Sequence, residues 1–157
     1  MRQLFFTLTI CFFLTGFSQK DNFIDPTGTY ELNRNVKEVG GDTYGYFGGI
    51  CVKKLTKNRI LMTFSICKGA PSYNSGSFVD TLEYVDNKSV YKAGFDVDPS
   101  CQIWFYFSKK GVSVKEKTDD YNCGCGFGHA VFADGFFKKI SSKQPELRNP
   151  MTDEKIE

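Results

Sequence analysis

Apolar side chains recur at every second position in two segments of this chain. In residues 60–66 the alternate positions are Ile60, Met62, Phe64 and Ile66. Residues 101–107 repeat the pattern with Cys101, Ile103, Phe105 and Phe107. A period of two residues is typical of a β-strand that buries one face. Both segments are therefore predicted to be strands that supply alternate side chains to a core.

Further strand candidates follow at short intervals and are separated by turn-forming residues. They span residues 28–32, 46–54, 77–84, 89–92, 112–117, and 128–132 with 136–138. The connections carry the pairs Lys57-Asn58, Asp86-Asn87, Lys110-Gly111 and Asp134-Gly135. This pattern predicts an all-β fold, an antiparallel meander closed into a small barrel and stapled by disulfides. A barrel is favoured over a sandwich because closure pairs the strand edges without long crossovers.

The first residues have the anatomy of an export signal. Met1-Arg-Gln supplies a positive start, the stretch from Leu4 to Leu14 is almost wholly apolar, and Gly16-Phe17-Ser18 places small residues at a cleavage site. This apolar run is too short for a membrane span, which needs roughly 20 residues, and no later segment approaches that length. We therefore expect a periplasmic or secreted protein with a signal peptide over residues 1–18, a β-barrel domain over 19–140 and a flexible C-terminal tail over 141–157.

Charge and motifs argue against several functions. The formal net charge is only +2, whereas nucleic-acid binding needs a concentrated basic face, so no nucleic-acid partner is expected. There is no Gly-x-Ser-x-Gly elbow, and His129 is the only imidazole. Cys123, Cys125 and His129 could hold zinc or copper, but a fourth ligand is not evident. We expect no enzyme activity, no cofactor and no metal site.

An odd number of cysteines follows the predicted signal, in a compartment where disulfides persist: Cys51, Cys67, Cys101, Cys123 and Cys125. At most two bridges can form among them. In a hairpin that turns near Asn58, Cys51 and Cys67 could meet as a cross-strand pair. Cys101 and Cys125 are the second predicted pair, which leaves Cys123 free. Pairing of Cys101 with Cys123 remains open as an alternative.

The segment that follows Cys67 has the composition of a recognition loop. Gly69 and Pro71 interrupt the strands, and small polar residues stand beside two aromatic residues. Aromatic side chains add contact area to an interface, while small polar residues hydrogen-bond adaptably. An ordinary connection between strands would have a similar composition, and both interpretations stay open. The candidate binding residues are Ser72, Tyr73, Asn74, Ser75, Gly76, Ser77 and Phe78.

Across residues 28–139 the order of features resembles exported β-barrel proteins near the periplasmic lysozyme-inhibitor families. The features are Gly28-x-Tyr30, Ser75-Gly76, Asn87-Lys-Ser-Val-Tyr91, the aromatic strand from Cys101, and Cys125-Gly-Phe-Gly followed by Ala133-Asp-Gly. Inhibitors of this kind insert a Ser-Gly loop with a nearby tyrosine into the active-site cleft of lysozyme. Ser75-Gly76 matches the core of the usual Ser-Gly-x-x-Tyr, but Val79 stands where the tyrosine would be.

The resemblance implies a secreted or periplasmic protein-binding module. Its expected partner is lysozyme or another peptidoglycan hydrolase, inhibited by insertion of the loop without any chemistry of the inhibitor's own. An alternative hypothesis is a calycin-like barrel that holds a small apolar ligand between its aromatic walls.

Overall fold

The computed structural model describes residues 22–156, which contain eight β-strands. The signal peptide expected over residues 1–18 lies outside the described residues. Within residues 22–156 the only helical element is a single 3₁₀ turn at Gly124–Gly126, and no helix is long and apolar enough to cross a membrane. The strands are β1 (Gly28–Val39), β2 (Asp42–Thr56), β3 (Arg59–Gly69), β4 (Ser75–Glu83), β5 (Lys88–Lys92), β6 (Gln102–Ser108), β7 (Gly111–Lys117) and β8 (Gly135–Ser141).

The eight strands form one antiparallel sheet that is nearly closed into a barrel. Their order is β4-β3-β2-β1-β8-β7-β6-β5. The first and last strands of the chain, β1 and β8, therefore pair with each other. The two edges, β4 and β5, are consecutive in the chain and face each other across an open seam. Inside the barrel the stacked rings of Phe78 and Tyr91 bridge this seam, with centroids 3.9 Å apart. The all-β antiparallel meander predicted from the sequence is confirmed.

The alternating apolar residues of β3 and β6 face the interior, as their spacing predicted. Phe64 lies at the centre of the packing, with the ring centroids of Phe105 and Phe137 at 5.9 and 5.7 Å. All three rings are fully buried. Aromatic side chains in such edge-on and tilted contacts fill the middle of a small barrel.

One predicted strand is wrong. Residues 128–132 belong to the long connection between β7 and β8 and join no strand ladder. Their backbone bonds to other connections instead, since Gly128 N donates to Ser75 O and Ala130 N donates to Asn122 O. Val131 and Ala133 belong to this connection, and both are buried. A loop that packs on the core can bury alternate residues as a strand does.

The predicted Cys51–Cys67 bridge is also wrong, because the β2–β3 hairpin has another register. Cys51 lies opposite Thr63, and Cys67 lies opposite Phe47. The two cysteines are thus about 13 Å apart along the ladder, at roughly 3.3 Å per residue. A disulfide needs Cα atoms within about 7 Å, and both thiols are free.

Residues 142–156 have a defined conformation where the sequence predicted a flexible tail. Leu147 is buried, and Arg148 pairs with Lys155 in an antiparallel bridge. Glu146 accepts ionic contacts from both of these basic side chains, at 2.7 and 3.2 Å. A single buried apolar residue anchors the segment, so its sequence has no repeating apolar pattern from which the conformation could be predicted. Its mobility stays a prediction.

The two ends of the barrel carry different connections. At one end, here called the hairpin end, tight turns join β2 to β3, β4 to β5 and β6 to β7. At the other end, called the loop end, a turn joins β1 to β2, and longer connections span residues 70–74, 93–101 and 118–134. Antiparallel strands alternate in direction, so every second connection lies at the same end of the barrel. The three long connections follow β3, β5 and β7, and they therefore all lie at the loop end.

Candidate functional site

The long connections of the loop end are bonded to one another. Lys68 Nζ and Asn74 Nδ2 both donate to the backbone oxygen of His129, at 2.9 and 3.0 Å. Gly128 N donates to Ser75 O at 2.8 Å. The connection between β3 and β4 is therefore fixed against the connection between β7 and β8.

Asp98 attaches the third long connection to this assembly. It is buried, and its Oδ2 accepts hydrogen bonds from Cys125 N at 2.9 Å and from Thr118 Oγ1 at 2.6 Å. Its Oδ1 accepts from the backbone N and the Oγ of Ser100, at 3.0 and 2.6 Å. The bond from Cys125 N, with those from Ser100 and Thr118, holds the pKa of Asp98 well below its ordinary value. The carboxylate is thus a charged, satisfied clamp between residues 93–101 and 118–134.

A disulfide between Cys101 and Cys125 reinforces the same junction. Their Cα atoms are 5.0 Å apart, which confirms this pairing over the alternative of Cys101 with Cys123. Cys123 is exposed and free. Asp98 lies close enough to both bridged sulfurs to resemble a metal site, but the bridge leaves neither sulfur as a thiolate. The chemistry of this cluster is that of a structural staple.

Phe127 closes the loop end of the barrel from inside. Its buried ring stacks on Phe64 with centroids 6.0 Å apart. Gly76 lies directly against this ring, and a side chain at position 76 would overlap it. The glycine of the predicted Ser-Gly motif is therefore required by packing, independently of any partner.

Only the first part of the predicted binding segment is a loop. Ser72, Tyr73 and Asn74 lie in the connection, whereas Ser75, Gly76, Ser77 and Phe78 belong to β4. Phe78 is only 8% exposed and stacks on Phe64 and Tyr91. It is a core residue, so the expectation that it forms an exposed anchor is wrong. The strand predicted over residues 77–84 already contained Phe78, so the error was to extend the binding segment into that strand.

Tyr73 is the exposed aromatic residue of that segment. Its hydroxyl donates to Asp42 Oδ1 at 3.0 Å and accepts from Thr43 N at 2.9 Å. These bonds fix the side chain to the turn between β1 and β2. Its polar tip is satisfied within the protein, and part of the ring remains open to solvent.

The most exposed aromatic residues of the loop end lie outside the predicted segment. Phe95 is 88% exposed and Tyr121 is 74% exposed. Phe95 lies in the connection that contains Asp98, and Tyr121 lies in the connection that contains Cys125. A signal was present in the sequence, because each aromatic stands alone among Gly, Asp and Asn in a stretch without alternation. The residues predicted to bind a partner, 72–78, included neither stretch.

Acidic side chains accompany these two aromatic residues. Asp96 follows Phe95, Asp119 and Asp120 precede Tyr121, and all three are exposed. Asp120 Oδ1 also accepts from the backbone N atoms of Asn122 and Cys123, which orders the turn. The loop end therefore presents apolar rings with carboxylates beside them.

Glu116 is a half-buried carboxyl group near the same end of the barrel. Its Oε2 accepts from Ala133 N at 2.6 Å, while its Oε1 is buried without a partner among the described residues. Burial raises the pKa of this carboxyl group. His129 is exposed, and its backbone oxygen is the atom that accepts from Lys68 and Asn74.

Comparison with protein-family models, with curated proteins and with solved structures finds no match to this chain.

Proposed function

We propose that this protein is an exported binding module that inhibits a peptidoglycan hydrolase, such as lysozyme, by presenting its loop end to the enzyme. The single observation that carries the proposal is the exposure of Phe95 on a braced connection. A large ring held almost entirely in water contributes little to folding. Interfaces, in contrast, draw much of their energy from a few aromatic anchors.

The loop end is rigid, and this rigidity supports a role in binding. Phe95 is three residues from Asp98 and six from the bridged Cys101. Tyr121 is held from the other side of the same junction. A partner that docks here pays little entropy for ordering these connections, because they are ordered before contact.

The choice of a hydrolase as the partner rests on the sequence resemblance. The geometry changes which residues are proposed to contact that enzyme. Tyr73 remains exposed at the loop end, whereas Phe78 is buried and Gly76 serves packing. We therefore assign the contact surface to Tyr73, Phe95 and Tyr121 on three connections, instead of to an inserted Ser72–Phe78 loop. The middle of the barrel is filled by Phe64, Phe105 and Phe137, and no observation favours the alternative of an enclosed apolar ligand.

An inhibition assay tests the proposal. The exported protein is titrated against a panel of muramidases and amidases acting on peptidoglycan, and the inhibition constant is measured for each. The variant Phe95→Ala/Tyr121→Ala should raise that constant at least tenfold, since hot-spot side chains contribute about 2 kcal/mol or more.

Tyr106→Ala is the matched control, because Tyr106 is an exposed aromatic residue on the barrel wall. It should inhibit as the unaltered protein does. Loss of inhibition in the control but not in the loop variant would move the contact surface to the wall. Absence of inhibition across the whole panel would refute the function itself.

A further inference from the structure

Positive charge is concentrated at the hairpin end of the barrel. Among residues 22–156 the acidic residues near it are fewer: Asp25, which pairs with Lys54 at 3.1 Å, Glu31, Glu83 and Asp86. The basic residues of this end come from three turns and from the end of β8: Lys54, Lys57, Arg59, Lys88, Lys109, Lys110, Lys138 and Lys139. A net charge of +2 for the whole chain conceals this concentration.

Backbone hydrogen bonds make the hairpin end one continuous surface. Tyr84 N donates to Asn58 O at 2.8 Å, which joins the first two turns. Phe107 N donates to Asn87 O at 2.8 Å and joins the second turn to β6. Lys139 N donates to Lys110 O at 2.9 Å and joins the third turn to β8. The turns that carry Lys57, Lys109 and Lys110 therefore lie at one end of the barrel on a rigid base.

Aliphatic side chains are exposed among these basic groups. Leu55 lies at the end of β2, Val85 in the second turn and Ile140 near the end of β8, and all are exposed. Basic residues with apolar neighbours on one surface are the combination that binds anionic membranes. Surfaces that bind single-stranded nucleic acid instead use open aromatic rings that stack on bases. The exposed rings near this end are covered by ammonium groups: Lys54 Nζ lies 5.4 Å from the centroid of Phe23, and Lys88 Nζ lies 5.9 Å from that of Tyr106.

We propose that the hairpin end docks on an anionic phospholipid surface. The ammonium groups contact the phosphates, and Leu55, Val85 and Ile140 enter the headgroup region. The loop end then points away from the membrane and stays free. This inference is independent of the proposed inhibition, which uses the opposite end of the barrel.

Vesicle co-sedimentation tests the docking. The exported protein is mixed with vesicles of phosphatidylcholine, with and without a third of phosphatidylglycerol, and the bound fraction is measured at rising salt. Binding should require phosphatidylglycerol and weaken with salt, because screening shortens the range of the attraction. Equal binding to both vesicles, or none to either, would overturn the proposal.

A matched pair of charge-reversal variants locates the surface. Lys57→Glu/Lys109→Glu/Lys110→Glu alters the hairpin end and should lower vesicle binding at least tenfold. The other variant makes the same change in net charge at the loop end: Lys37→Glu/Lys115→Glu/Lys117→Glu. It should bind vesicles within a factor of about two of the unaltered protein, because these charges lie farther than a Debye length of roughly 10 Å from the docked surface. Equal losses in both variants would contradict a localised site.

The aliphatic residues distinguish a membrane from a soluble polyanion. Leu55→Ser/Ile140→Ser should weaken vesicle binding severalfold while circular dichroism shows an intact fold. If duplex DNA binds as tightly as the anionic vesicles, and the aliphatic variant binds both unchanged, the surface is a general polyanion site and the proposal fails. Inhibition of a hydrolase by each variant is measured in parallel, so failure of docking and failure of inhibition are separate results.

Discussion

Asp98 accepts a 2.9 Å hydrogen bond from the backbone N of Cys125, 27 residues later in the chain. This bond and the Cys101–Cys125 disulfide join the same two connections. One contact is electrostatic and the other covalent, so each can be removed while the other persists. The rigidity that the proposed binding surface needs can therefore be tested in separate steps.

Replacement of Asp98 should loosen the loop end. Asp98→Ala leaves the donors of Cys125, Ser100 and Thr118 without their acceptor, and hydrogen bonds to a charged group contribute about 1.5–3 kcal/mol each. We expect a loss of at least about 3 kcal/mol in the free energy of unfolding, measured by denaturant titration, because water that enters the vacated site satisfies only part of the freed donors. An unchanged free energy would show that water replaces the carboxylate without loss.

Asp98 should also make stability depend on pH in the acid range. Because its pKa is depressed in the folded protein, its contribution is fully present above the unfolded value of about 3.9. The contribution is lost as the pH falls below that value, since protonation then accompanies unfolding. Asp98→Asn should flatten the fall in stability below about pH 4 relative to the unaltered protein. Parallel curves for the two proteins would contradict this assignment.

Among the cysteines of residues 22–156, mapping should find one bridge and three free thiols. Alkylation of the unreduced protein followed by peptide mass spectrometry is expected to join Cys101 to Cys125 and to modify Cys51, Cys67 and Cys123. The bridged residues are separated by 24 positions, for which loop-closure entropy predicts a stabilisation of about 3 to 4 kcal/mol. Recovery of a Cys51–Cys67 peptide would show that the β2–β3 register differs from the one described.

Gly76 should tolerate a methyl group only if Phe127 is removed. Gly76→Ala forces overlap with the Phe127 ring, and overpacking of a core typically costs about 1–3 kcal/mol. Phe127→Ala should reduce this penalty, so the two changes should be non-additive in a double-mutant cycle. Additive losses would mean that the two side chains do not meet.

Leu147 should hold the C-terminal segment in place. Leu147→Ala removes the buried side chain of residues 142–156 and should speed amide hydrogen exchange at Asn149 and Ile156, whose backbone N atoms donate within this segment. Exchange in β3 should stay unchanged, because that strand lies in the barrel. Fast exchange at both positions in the unaltered protein would restore the sequence-based view of a flexible tail.

Alternation identified strands but did not distinguish them from every other buried segment. In β3 and β6 it was correct, because the alternate residues face the interior along a regular ladder. In residues 128–132 it failed, because these residues belong to a connection that folds over the barrel and buries Val131. Phe78 belonged to both a predicted strand and the predicted binding segment, and its burial in β4 shows that the strand prediction was correct.

The sequence by itself determined the all-β class, the antiparallel meander and three of the four predicted tight turns, because neighbouring residues carry those signals. The fourth predicted turn, Asp134-Gly135, is wrong, because residues 128–132 form no strand and β8 begins at Gly135. Strand faces depend on residues two positions apart, and turns depend on pairs such as Lys57-Asn58. Only the tertiary structure decided which distant groups meet: Asp98 with Cys125, Gly76 with Phe127, and the turn at Asn58 with the backbone of Tyr84. Ladder register and the meeting of connections depend on contacts across tens of residues, and no local pattern encodes them.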